Sequence, residues 1–398
     1  MNLLQIIDKS HNKCYNIFTS IDRRILIMKK SVTKFLALIL TVLMISTVFM
    51  TSCDLFKKDP APSGDDNVLE TQTVALNKNT KGIKILGVRN LPSETAINAD
   101  WSASGIEFTA TCEGDMTFGV VTNKSAYFRA YVDDEEWMNG ESPYFTVNGQ
   151  GQIVLKDIPN GTHDIKVIKV TGYTLATAAF TQVTLTGTIS EEAPEDKELY
   201  IEFIGDSITC GWGTIGTHDG KYNSQDATLA YSYLLAEELD ADYSMTALSG
   251  QGICWGNPGV PTAFRYACYA KDSTNEYDFA RKADLVILNI GTNDETKEVD
   301  FNKFEEDLIA LIRYAKEKNG ENCRFLAIYN MKNGTYATYI KSAFEKLGGP
   351  AAGYHVYEAQ RSTNELTYYH PSIEEHEAYV PELEALCKQI LAAEITAN

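Results

Sequence analysis

The stretch LYIEFIGDSITCGWGT, Leu199 to Thr214, decides how the second half of this chain is read. Leu199, Ile201, Phe203 and Ile204 form a short apolar run, the pattern of a strand largely buried in a sheet. Gly205, Gly211 and Gly213 make the next residues an irregular turn rather than more sheet. In an open α/β sheet, ligands bind at the C-terminal ends of strands. Ser207 is therefore a candidate nucleophile, although taken alone it reads first as a polar turn residue capping a helix.

Downstream, strands and helices alternate over residues 197–398. DATLAYSYLLAEEL, FNKFEEDLIALIRYAKEK, TYATYIKSAFEKL and SIEEHEAYVPELEALCKQILAAE read as helices, and DLVILNI, RFLAIY and YHVYEA as strands. Such alternation predicts a parallel sheet with helices on both faces. Upstream, residues 81–190 carry GIEFTAT, MTFGVVT, AYFRAYVDD, QIVLKDI, HDIKVIKV and TQVTLTGTI, short β-branched or alternating runs that predict an all-β sandwich. IPNGTHD reads as a hairpin-type turn. The acidic, proline-bearing SEEAPEDK, Ser190 to Lys197, separates the two regions, and the polar segment 54–80 reads as a flexible tether.

Residues 1–53 are of another kind. Lys29, Lys30 and Lys34 precede sixteen uncharged residues, Phe35 to Met50. That run is shorter than the roughly twenty residues a membrane span needs, and it matches a signal-peptide core. The adjoining MTSC resembles a bacterial lipobox, which predicts cleavage before Cys53, lipidation of that cysteine and an extracytoplasmic protein anchored to the membrane. Met28 is then the natural start; an uncleaved anchor helix is the alternative. Cleavage would remove seven basic and two acidic residues and take the net charge from −19 to −24. So acidic a chain excludes a nucleic-acid partner, because phosphate binding needs clustered Lys and Arg. The cysteines other than Cys14 and Cys53 allow many pairings and select none.

The chemistry-bearing residues recur at strand ends. LNIGTND puts Gly291, Thr292, Asn293 and Asp294 directly after a buried strand, and ALSGQGICWGN brings Gly250 to the same edge. Near the C-terminus, YYHPSIEEH holds His370 in a loop, where Pro371 helps start the last helix. A serine hydroxyl needs an imidazole to take its proton. The tetrahedral intermediate then needs donors aimed at its oxyanion. The backbone N–H groups of Ser207 and Gly250 and the side-chain amide of Asn293 are the expected donors. No metal pair at helical spacing and no cofactor motif is present, so neither is expected.

GDSITCG, the glycine of SGQG, GTND and the HP pair, in this order, resemble the four blocks of the SGNH, or GDSL, hydrolase superfamily. With the preceding β-rich region, WSASGIEF and YFRAYVDDEE included, the chain resembles the two-domain acetyl esterases of carbohydrate esterase family 2. The resemblance implies a jelly-roll domain packed on a three-layer, flavodoxin-like α/β hydrolase, and removal of O-acetyl groups from polysaccharides. It implies Ser207 as nucleophile, His370 as base, and Gly250 and Asn293 completing the oxyanion hole. In one place the chain departs from that pattern. The superfamily places Asp three residues before the histidine, where this chain has Thr367. The expectation is a Ser–His dyad with the ring held by a backbone carbonyl, that of Thr367 being in place; Glu365 or Glu358 is the alternative support.

The remaining polar candidates read as structural. Asp206 is expected to be a turn residue, Asp294 a loop brace and His376 a surface residue of the last helix. His163 falls in the sandwich, and His218 and His355 have no motif around them. Trp212, Trp255, Tyr368 and Tyr369 flank the motifs and suit either a sugar face or core packing. Two other functions fit the same chain: a GDSL-type lipase or thioesterase, and a glycan-binding surface lipoprotein whose catalysis has decayed.

Overall fold

The computed structural model describes residues 69–215, 225–257, 259–267 and 276–395. The apolar segment, the lipobox, Cys53 and most of the tether lie outside the described residues, as do Cys14, Cys268 and His218. The described elements belong to one compact unit.

The first nine strands are β1 (Thr71–Ala75), β2 (Lys84–Leu86), β3 (Ile97–Asn98), β4 (Ser104–Thr122), β5 (Ala126–Val132), β6 (Glu135–Glu136), β7 (Phe145–Val147), β8 (Gln150–Lys169) and β9 (Ala178–Ile189). They form one antiparallel sheet in the order β1-β9-β4-β8-β5-β6, with β2 on β4, β3 on β9 and β7 on β5. These strands correct two expectations. GIEFTAT and MTFGVVT are not separate strands but the two halves of the 19-residue β4. Likewise IPNGTHD is no hairpin turn; the 20-residue β8 runs through it.

The reason is a pair of register shifts between Cys112 and Met116, where β4 faces the Ile158–Gly161 part of β8. Bulges of this kind bend a strand and sharpen its twist. Phe108 and Phe118 lie ten residues apart on β4, which at about 3.3 Å per residue would separate them by roughly 33 Å in a straight strand. Their rings are 6.1 Å apart. The strand doubles back, so both layers of the sandwich belong to one hydrogen-bonded sheet. Phe108, Phe118, Phe128, Ile153 and Phe180 fill its core.

The tether also ends earlier than expected, since TQTVA at residues 71–75 is the edge strand β1. Its alternation lets Thr71 and Thr73 meet Thr186 and Thr184 of β9, each hydroxyl pair at 2.8 Å.

Among the described residues, five parallel strands form the second sheet: β10 (Leu199–Gly205), β11 (Ala241–Ala247), β12 (Leu285–Asn289), β13 (Arg324–Tyr329) and β14 (Tyr354–Glu358). Their order is β11-β10-β12-β13-β14. Six α-helices among the described residues accompany them: α1 (Tyr231–Glu238), α2 (Val260–Ala263), α3 (Thr292–Thr296), α4 (Phe301–Asn319), α5 (Ala337–Lys346) and α6 (Ile373–Ala392). Every residue of β11 and β12 is buried, as expected of parallel strands covered on both faces. Since β10 is flanked by β11 and β12, the strand order reverses there, at the switch point where such sheets form their crevice.

The antiparallel sheet and the α/β part are joined through buried polar contacts. Arg89, fully buried, donates from Nε to Glu202 of β10 at 2.8 Å and from Nη1 to the Phe264 carbonyl at 2.7 Å. Its guanidinium is surrounded by the rings of Phe264, Tyr277 and Phe279, at 4.1, 4.3 and 4.7 Å. Trp101 is buried at the same junction, its indole N–H on the Ala267 carbonyl. Trp137, the other tryptophan of the sandwich, packs half-buried on the sandwich core.

Candidate active site

The register of the parallel sheet explains how distant motifs meet. Gly205, the last residue of β10, pairs with Ala247 on one side and Asn289 on the other, so three strands end level. Ser207, Gly250 and Asn293 come two, three and four residues after those ends. Gly205 cannot be replaced cheaply, since a Cβ there would fall 2.0 Å from the Thr209 hydroxyl and 3.0 Å from the Asn289 carbonyl. Past it the chain folds into turns, with Trp212 N–H on the Ser207 carbonyl at 2.9 Å. Gly250 stands exposed with φ +78°, a left-handed conformation that favours glycine.

His370 arrives on the loop between β14 and α6. Ser372 caps that helix, and Glu375 completes a capping box by accepting from the Ser372 N–H at 2.9 Å. The same carboxylate accepts from the Ser362 hydroxyl at 2.7 Å and the Thr363 N–H at 2.8 Å. One side chain therefore ties both ends of the loop that carries His370. These hydrogen bonds stabilise the carboxylate and hold its pKa below the usual value, although its partial burial opposes them.

Ser207 Oγ lies 2.8 Å from His370 Nε2. On the other side of the ring, Nδ1 lies 2.8 Å from the Thr367 carbonyl. A carbonyl only accepts, so the Nδ1 hydrogen points to Thr367 and the Nε2 lone pair faces the serine hydroxyl. One tautomer satisfies both bonds, and it is the tautomer that can take a proton from Ser207. The Thr367 hydroxyl adds a 2.7 Å bond to the His370 carbonyl, fixing the short turn between them. Neither alternative acid has this place. Glu358 accepts from the Tyr329 hydroxyl at 3.1 Å and faces Lys341, while Glu365 is exposed.

Asn293 Nδ2 donates to Asp206 Oδ2 at 3.1 Å and to the Gln251 carbonyl at 2.8 Å. An amide nitrogen has two hydrogens, so an oxyanion would be served by sharing or exchanging the longer contact, that to Asp206. Asp206 is fully buried; desolvation pushes its carboxyl up to about 7, with the Ile208 N–H and Asn293 opposing the rise. It is a hydrogen-bonding turn residue, as its position in the sequence suggests. Asp294 accepts three backbone N–H groups, from Ile253, Cys254 and Trp255, at 2.8, 2.8 and 2.9 Å. It braces the segment just beyond Gly250.

His376 departs from its expected surface position. It is fully buried, stacks on Tyr231 at 6.1 Å and accepts the Tyr231 N–H at Nδ1. Burial lowers its pKa to about 3, so it stays a neutral core residue. Of the aromatic candidates, Trp212 packs beside His370 with centroids 6.3 Å apart. Trp255 is 43% exposed beneath Lys297, and Tyr368 is 63% exposed in the left-handed region. Cys112, Cys210, Cys254, Cys323 and Cys387 are free thiols.

Sequence reading missed Lys332. Its Nζ lies 3.3 Å from His370 Nδ1. Burial pushes the ammonium down, with Asp206 pulling it back up. The available signal was positional: Lys332 stands three residues past the end of β13, on the edge where the other strand ends carry site residues.

A doubly wound sheet with a serine–imidazole pair at its switch point is the architecture of a serine-type hydrolase. Residues 203–393 match the GDSL-like Lipase/Acylhydrolase family, so the α/β half of the chain is similar to the GDSL/SGNH hydrolases. Over 311 residues the chain is 28% identical to the cellulase/esterase CelE of Acetivibrio thermocellus, a stretch of 73% of this chain and 37% of CelE. The chain thus spans little more than a third of that relative. It is 22% identical over 279 residues to an acetylxylan esterase / glucomannan deacetylase of Cellvibrio japonicus, covering 65% of this chain and 76% of the relative. A solved family two carbohydrate esterase from Cellvibrio japonicus superposes with a TM-score of 0.71 at 20% identity, over 81% of this chain and 98% of that one. The antiparallel sheet and the α/β part therefore share the two-part architecture of that esterase.

Proposed function

We propose that this protein is a carbohydrate esterase that removes O-acetyl groups from polysaccharides or oligosaccharides by acyl transfer through Ser207. The observation that carries the reading is the 2.8 Å bond from Ser207 Oγ to His370 Nε2, with Nδ1 committed to the Thr367 carbonyl. His370 takes the hydroxyl proton as Oγ attacks the acetyl carbonyl, and returns it to the departing sugar hydroxyl. Water, activated by the same ring, then releases acetate from the acyl-serine. The N–H groups of Ser207 and Gly250 and the Asn293 amide are the donors for the oxyanion in both steps.

The Cellvibrio relative, named for acetylxylan and glucomannan, supports acetyl as the acyl group and a glycan as its carrier. The exposed side chains of Trp255 and Tyr368 suit a sugar ring better than a long acyl chain. The test is acetate release from acetylated xylan and glucomannan, run beside acetyl and octanoyl nitrophenyl esters. Preference for the octanoyl ester would make this a lipase or thioesterase. Binding of acetylated glycan with no acetate release would make it a glycan-binding protein.

Replacing Asn293 by alanine is expected to lower kcat by about 10²–10³-fold with little change in KM, the usual cost of one oxyanion donor. Steady-state kinetics on acetyl nitrophenyl ester checks it.

We further propose that the mature chain is a bacterial lipoprotein, secreted and held at a membrane by lipid on Cys53; the Lys29–Cys53 sequence supports this. Palmitate labelling of cells expressing the chain from Met28 should mark the protein, and Cys53→Ala should abolish the label. Equal labelling of both would remove the anchor from the account.

A further inference from the structure

Where a catalytic triad puts a carboxylate, this site has a cation. We propose that Lys332 is a positioning residue that sets the pH range of the Ser207–His370 pair by opposing protonation of the imidazole. The inference rests on the esterase reading above. Its basis is the 3.3 Å separation of Lys332 Nζ from His370 Nδ1. The Nδ1 hydrogen is spent on the Thr367 carbonyl, so the ammonium meets a ring edge that already carries hydrogen. The contact is one of charge, and it acts against a second positive charge on the ring.

The other titratable groups described around the pair are engaged elsewhere. Asp206, from the turn after β10, attracts Lys332 and takes its hydrogen bond from Asn293. On α6, His376 is neutral in the core, and the Glu375 carboxylate is committed to Ser362, Thr363 and Ser372. Trp212 packs beside the ring as an apolar neighbour. A triad acid favours the imidazolium and raises the pH at which the base is lost. A neighbouring ammonium works the other way, keeping His370 a competent base into more acidic media. The cost falls on the step in which His370 is transiently charged, so a wider working range is gained against a lower ceiling on kcat.

The test compares wild type, Lys332→Met and Lys332→Arg by the pH dependence of kcat/KM on acetyl nitrophenyl ester, which reports the free enzyme. Two charges about 4 Å apart interact enough, even in water-like surroundings, to move a pKa by roughly one unit. The acid limb is expected to move up by about one unit in Lys332→Met and to stay in place in Lys332→Arg. A residue with a merely structural role would change the height of the profile and leave its limb where it was. Coincident limbs in wild type and Lys332→Met overturn the proposal.

The His370 ring-proton NMR titration, assigned by its loss in His370→Ala, reads the same shift without turnover. A Lys332→Met titration midpoint equal to wild type therefore rejects the proposal whatever the activity. If Lys332→Met does not fold, Lys332→Gln takes its place in both measurements. Failure of the esterase reading looks different: Ser207→Ala would retain full activity, and the NMR titration would still report on Lys332.

Discussion

Ser207→Ala is expected to abolish ester hydrolysis, reducing kcat by on the order of 10⁴–10⁶-fold on acetyl nitrophenyl ester and on acetylated xylan alike. The size reflects the role of the hydroxyl. In the proposed mechanism it is the bond-forming atom, and it holds the 2.8 Å contact through which His370 Nε2 can take its proton. Any residual rate comes from binding and from donors that still stabilise attack by water. His370→Ala should fall to a similar level, and the double variant should lose little more, because the two residues act as one unit. Thr367→Asp tests the dyad from the other side. If the Thr367 carbonyl already orients the ring, an added carboxylate should change kcat far less than either deletion does. Full activity in Ser207→Ala would remove the site from the account.

The second large effect concerns stability. Arg89→Met is expected to destabilise the protein by about 3–5 kcal/mol, measured by urea unfolding of the complete chain. Arg89 and Glu202 are both buried, and removing the guanidinium leaves a carboxylate inside the interior strand β10. The hydroxyl of Tyr200 and the amide of Asn319 still donate to Glu202, at 3.1 Å each, but neither brings a positive charge. Replacing both partners, Arg89→Met with Glu202→Leu, should restore most of the loss, since the remaining apolar pair leaves no orphaned charge. An Arg89→Met variant as stable as wild type would mean that Glu202 takes up a proton at little cost, and the cluster would then contribute packing alone.

The α/β half was legible because its signals are local. Apolar runs ending in glycine mark strand ends, and parallel register then brings those ends to one edge, as Gly205, Ala247 and Asn289 show. Ser207, His370 and the Thr367 carbonyl could be placed by that logic together with the superfamily resemblance. The antiparallel half was legible only in kind. A bulge is a relation between two strands, and nothing in GIEFTAT, IPNGTHD or MTFGVVT alone distinguishes a bend in one strand from a turn between two. His376 was misplaced because a histidine among glutamates looks solvated, whereas its face of α6 packs on Tyr231. Lys332 was invisible because its meaning lies in one distance to a residue 38 positions away.

The Arg89–Glu202 cluster bears on how such chains can be recombined. Arg89 precedes most of the antiparallel sheet in the sequence, yet its charge is neutralised in β10, the strand that leads to Ser207. The α/β half transplanted onto a foreign partner would carry a buried acid without its cation. The two halves are therefore expected to unfold together as one unit, and a cut at the seam between them to cost the α/β half its stability.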